Sequence, residues 1–161
     1  MRSVDQWLDE YGSSHRHPVN KLLHWLCVPP IVMSVMGLLW ALPVPDAFAR
    51  VSPWLNWSTL TGVAAIVYYT RLSPPLALGI VPVFVALFAI VAWLDSQRWP
   101  LWQSCVAIFA AAWVGQFIGH AVEGQRPSFF KDLQFLLIGP LWLIAYVYRA
   151  IGLRYSTGVR A

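Results

Sequence analysis

Apolar residues run through this chain in long blocks separated by short polar gaps, and several of the blocks approach the length that crosses a bilayer. After a polar start, the first block extends over about 18–42 and the second over about 58–70. The third covers about 76–94, the fourth about 101–122 and the fifth about 133–151. Helix breakers fall in the gaps: Pro43, Pro45 and Pro53, then Ser73-Pro74-Pro75, then Asp95 to Pro100. Trp54, Trp57, Trp93, Trp99 and Trp102 crowd these edges, where an indole sits well between lipid and water. The pattern predicts an all-α fold, a polytopic membrane helical bundle with about five transmembrane segments, as a single integral membrane domain over 1–161.

Finer features follow from the same pattern. Residues 1–17 form a polar interfacial lead-in in which Val4, Trp7, Leu8 and Tyr11 recur at three and four. That spacing predicts a short helix lying on the membrane surface, ended by Gly12-Ser13-Ser14. Pro18 suits the first turn of the next helix, with His17 at its cap, and Pro29-Pro30 predicts a kink further along. Gly139-Pro140 interrupts the fifth block, which is either one kinked span or two half-spans that dip in and return. In the fourth block, Ala110-Ala111-Ala112 and the pair Gly115 and Gly119 allow close helix approach.

Composition reinforces the membrane assignment. Hydrophobic residues make up 58% and charged residues 11%, about half the charge of a soluble domain. The net charge of +4 comes from basic residues set singly at segment ends, not from a stripe or tail, which argues against nucleic acid as a partner. The first twenty residues have no apolar leader core. Cys27 and Cys105 lie inside apolar blocks and read as buried free thiols. A homo-oligomer is compatible with the pattern and not required by it.

Topology then brings distant residues together. Four spans separate the amino-terminal histidines from the end of the fourth block, so both fall on one membrane face. Arg2, Arg16, Lys21, Arg71, Arg126 and Lys131 share that face, against Arg50 and Arg98 opposite, which makes it cytoplasmic by the positive-inside rule. Arg149, Arg154 and Arg160 join it only if the fifth segment is re-entrant. The expected location is an integral, multi-pass one: the cell inner membrane in a bacterium, the endoplasmic reticulum membrane in a eukaryote.

The chemistry gathers at this face. Gln116, His120 and Glu123 lie on one helical stripe at spacings of four and three, and Asn20 and His24 are four apart on another. His15, His17, His24 and His120 are the candidate metal ligands, with Glu123 the one carboxylate close to a histidine in a span. Two histidines and a carboxylate leave positions open on Fe(II), while an imidazole set suits zinc or copper equally. Each residue also has a plainer role: His17 as a helix cap, Glu123 pairing with Arg126, Gln116 as an interhelical hydrogen bonder. The competing classes are a small non-enzymatic membrane transporter or scaffold and a zinc-dependent lipid hydrolase. The lack of polar residues at mid-membrane speaks against a transport path.

Two motifs carry a family resemblance. Tyr11-x3-His15-x4-Asn20-x3-His24-x4-Pro29 and Gln116-Phe117-x-Gly119-His120-x2-Glu123-x2-Arg126-Pro127 are similar to the two signatures of the fungal 2-hydroxy fatty acid dioxygenase family. Asp132-Leu133-Gln134 followed by Gly139-Pro140 resembles that family's last hydrophobic segment, while Cys27 and Ser128 depart from its usual glycine and alanine. The resemblance implies an Fe(2+)-dependent enzyme of fatty acid alpha-oxidation that uses molecular oxygen, O2, to shorten a 2-hydroxy fatty acid by one carbon. It implies His15, His24 and His120 as iron ligands, with weaker support for His17. Glu123 would be a further ligand or the partner of an imidazole, and Asn20 and Gln116 would hydrogen-bond ligands or the substrate head. Arg126 or Lys131 would attract the substrate carboxylate at the mouth.

Overall fold

The computed structural model describes residues 2–126 and 134–155. Lys131 and the motif residues Pro127, Asp132 and Leu133 lie outside the described residues. Seven helices and no strand occur among the described residues, in the order α1 (Val4–Ser13), α2 (Pro18–Trp40), α3 (Asp46–Val51), α4 (Trp57–Leu72), α5 (Pro74–Asp95), α6 (Leu101–Glu123) and α7 (Phe135–Ala150). The all-α bundle read from the sequence is therefore the observed architecture.

Local chemistry sets the helix ends. Ser3 and Gln6 form a reciprocal capping box at the start of α1, and Asn56 and Thr59 do the same at α4. His17 caps α2, its Nδ1 accepting from the Val19 N–H, with Pro18 at the first helical position. Gly124, at φ 70°, closes α6 in the left-handed conformation that glycine adopts without strain. The six-residue α3 occupies what the prolines of the 43–57 gap mark as loop.

Three helices among the described residues, α2, α5 and α6, are long and apolar enough to cross a membrane. The sixteen-residue α4 returns the chain between them. At one end of the bundle the Trp40 indole donates to Asp95, joining the ends of α2 and α5, and Trp40 stacks edge-on against Trp54. At the other end lie α1, the α4–α5 junction and the end of α6. The outer faces stay apolar and exposed, as at Leu22, Val63, Leu78, Val85 and Val114, a surface suited to lipid.

The pairing of α2 with α6 dominates the packing. A methyl group on Gly115 would meet Cys27 Sγ at 2.6 Å, and one on Gly119 would meet Asn20 Oδ1 at 2.5 Å. The missing side chains let the two backbones approach where their polar residues face each other. Neither Pro29-Pro30 nor Pro140 ends its helix: α2 and α7 each run on unbroken, so the fifth block is one helix and not two half-spans.

That last helix does not cross from one end of the bundle to the other. Phe135 packs on Trp7, with ring centroids 5.2 Å apart, and Tyr69 donates to the Leu137 carbonyl. Further along, Tyr148 donates to the Pro75 carbonyl and Ser73 to that of Tyr155. All these partners belong to α1 or to the α4–α5 junction, so α7 lies across a single end of the bundle. Its carboxyl-terminal arginine Arg149 thereby joins the histidine face.

Candidate metal centre

The turn between α1 and α2 delivers the first histidine. Ser14 and His15 close α1 by bonding back to Tyr11 and Gly12, which turns the His15 side chain inward, where it is 1% exposed. Its Nδ1 donates to the Tyr11 carbonyl, and Tyr11 stacks on the ring at 4.2 Å between centroids and 14° between planes. One helix over, His24 Nδ1 donates to the Asn20 carbonyl at 3.0 Å. Carbonyl oxygens only accept, so both Nδ1 atoms carry the hydrogen and both Nε2 atoms carry a lone pair in the neutral rings.

These two Nε2 atoms lie 2.8 Å apart. His120, from α6, completes the group with its ring 5.0 Å from that of His15 and 5.1 Å from that of His24. One donor atom from each of the three buried imidazoles lies within 4.8 Å of the others. His120 Nδ1 is buried without a hydrogen-bond partner. Ligand atoms held at about 2.1 Å from one ion are spaced on this scale. Burial pushes the His15 imidazole down to about 4, so at neutral pH it is the uncharged base a metal ion requires. The donor set fits a single divalent transition-metal ion.

Other expected site residues take distinct places. Glu123 stands outside the imidazole group: its carboxylate accepts from the backbone N–H of Arg16 at 2.9 Å and of His17 at 2.7 Å, and from Asn20 Nδ2 at 3.2 Å. It braces the turn that carries His15 rather than an imidazole. Asn20, fully buried, also donates to the Ser14 carbonyl, and its own carbonyl orients His24. His17 is exposed and serves as the α2 cap. Arg126 is exposed just beyond α6.

A chamber of about 60 Å³ adjoins the three histidines. Gln116 lines it with a buried Nε2 that has no hydrogen-bond partner, and Val28, Ile31, Phe135 and Leu136 make its walls apolar. Tyr11 lines it too and is the residue whose role the sequence hid. Its phenol lies where a methyl on Gly139 would be 3.0 Å away, so the glycine before Pro140 makes room for it. The signal was present in the interval of four between Tyr11 and His15, one helical turn.

The family model described as 2-hydroxy-palmitic acid dioxygenase Mpo1-like matches residues 1–151. The chain is 24% identical over 136 residues to the 2-hydroxy-palmitic acid dioxygenase MPO1 of Saccharomyces cerevisiae, covering 83% of this chain and 73% of that protein. No solved structure matches. With both motifs and all three buried histidines inside the matched region, the chain belongs to the Mpo1-like family of 2-hydroxy-palmitic acid dioxygenases.

Proposed function

We propose that this protein is a non-haem, Fe(II)-dependent dioxygenase that shortens 2-hydroxy fatty acids by one carbon. In that reaction the bond between C1 and C2 breaks and O2 is reduced. C1 leaves as carbon dioxide, C2 becomes the carboxyl of the shorter acid, and water balances the remaining atoms. The observation that carries the proposal is the pair of Nε2 lone pairs facing each other at 2.8 Å, with His120 beside them. Two buried lone pairs repel unless a cation accepts both.

His15, His24 and His120 would hold the ion. Bound there, Fe(II) would supply a redox-active Lewis acid, which d¹⁰ zinc is not. The Tyr11 and Asn20 carbonyls keep both Nε2 atoms in the ligating state, and Glu123 with Asn20 holds the His15 turn against α6. Gln116 Nε2 is a donor held ready for an oxygen atom of the substrate head, in a chamber whose apolar walls exclude water. Arg126 would draw the carboxylate toward this face.

The chamber has room for about four water-sized groups, so it admits the reacting head and not a long acyl chain. Leu136, half-exposed on its wall, marks the side on which the chain would stay in the bilayer, at about 0.8 kcal/mol per buried methylene. A multi-pass protein with its histidine face in the cytoplasm agrees with the basic residues gathered there.

Metal analysis of purified wild type and His120→Ala, combined with oxygen uptake on 2-hydroxypalmitate, tests the proposal. The expected result is iron near one per chain in the wild type, lost with oxygen uptake in the variant. Zinc alone, with no oxygen consumed, would overturn it.

A further inference from the structure

A second and larger cavity opens on the other side of His15. This cleft measures about 660 Å³ and is lined by Arg16, Lys21 and Arg149 against one acid, Asp9. The three cations come from three separate places: the α1–α2 turn, the first turn of α2 and the last turn of α7. None of the three lines the histidine chamber, although His15 itself lines both cavities.

The cleft is not uniformly polar. Leu8, Trp142 and Tyr146 form its apolar walls. From Tyr146 the apolar surface continues outward: its ring meets Trp25 at 5.6 Å, and Leu22 and Leu26, each about 60% exposed, share that face of α2. A cationic basin that runs into a strip of exposed apolar side chains matches an amphiphile, with its head in the basin and its chain along the helix. A soluble anion would leave the strip unused.

We propose that this cleft, which reaches His15 but neither His24 nor His120, binds the anionic head of a membrane lipid. The shared chemistry is an acid group on an acyl chain, whether the carboxylate of a fatty acid or the phosphate of a phospholipid. Arg16, Lys21 and Arg149 hold the head by charge-assisted hydrogen bonds, and Trp142, Tyr146 and Trp25 cover the first methylenes.

Equilibrium binding of two probes to the purified full chain tests this: palmitate, which lacks the 2-hydroxyl, and phosphatidylglycerol. Phosphatidylcholine serves as the uncharged control. In Lys21→Gln/Arg149→Gln, affinity for the bound probe should fall about tenfold or more, and wild-type affinity should fall with added salt. A charge-dependent loss for palmitate alone assigns the cleft to fatty acids, and for phosphatidylglycerol alone to phospholipid. Monodisperse elution and unchanged metal content of the variant separate lost binding from lost fold. Equal affinity of wild type and variant for both acidic probes, or equal losses for phosphatidylcholine, would overturn the proposal. Turnover does not enter the measurement, so its outcome is independent of the reaction assigned above.

Discussion

His15 Nε2 and His24 Nε2 lie 2.8 Å apart while the Nδ1 of each ring is committed to a backbone carbonyl. Neither nitrogen can donate to the other in the neutral rings, so the pair is an acceptor facing an acceptor. Two residues nine apart are held in this relationship by the turn at Ser14 and by the first two turns of α2.

Removing the metal should therefore cost stability as well as activity. Chelation is expected to lower the thermal midpoint of the purified protein, and Fe(II) added back should restore it, because an ion that binds only the folded chain stabilises it by mass action. His24→Ala should show the lower midpoint with or without chelator. A wild-type midpoint indifferent to chelator would contradict the cation role of the cluster.

Glu123→Gln tests the brace. The amide keeps one acceptor oxygen for the three donors from Arg16, His17 and Asn20, so the His15 turn loosens while all three imidazoles remain. Metal affinity should drop about 10–100-fold, the range for residues that support a ligand from behind. Competitive titration with a metal chelator reads this directly, and unchanged affinity would remove the positioning role.

Gly119→Ala tests the close approach of α2 and α6. The added methyl would stand 2.5 Å from Asn20 Oδ1 and 3.4 Å from its backbone Cα, so the helices must part where His24 and His120 meet. A loss of about 1–3 kcal/mol is expected, together with weaker metal binding. Gly124→Ala is the control: nothing lies within 4 Å of the added carbon, and only the positive φ is strained, for about 1–2 kcal/mol. The two variants should separate by metal content, not by stability.

Gln116→Leu should divide activity from stability. Its buried Nε2 has no partner, so replacing the amide with an apolar side chain of similar size should leave the thermal midpoint unchanged or raise it. Turnover of a 2-hydroxy acid should fall at least about tenfold, the worth of one hydrogen bond to a charged oxygen. Equal turnover would show that Gln116 serves packing alone.

Tyr11 separates aromatic stacking from its hydroxyl. Tyr11→Phe keeps the ring face 4.2 Å from His15 and should retain the metal, whereas Tyr11→Ala opens a void beside the ligand and should cost about 3–5 kcal/mol with the metal lost. Metal analysis of the two variants decides it.

Much of this was legible in the residues. Block lengths predicted the long helices to within a few positions, and their parity predicted that His15, His24 and His120 would meet. The Gly115 and Gly119 pair predicted the close helix contact. The rest was hidden for physical reasons. Glu123 binds backbone N–H groups, and a backbone donor leaves no mark in side-chain spacing. Pro140 removes a single N–H from its helix, and packing on both sides holds the remaining turns, so of the two courses left open at Gly139-Pro140 the single helix forms. The cations of the cleft were invisible as a group because Arg149 reaches them only through the lie of α7.

The course of α7 also decides where Ser3 and Tyr155 lie relative to each other. Ser3 caps the helix that packs on Phe135, and Tyr155 is tied to Ser73, so both residues lie at the histidine end of the bundle. Dyes attached at Arg2 and at Arg154 would sit close enough for energy transfer.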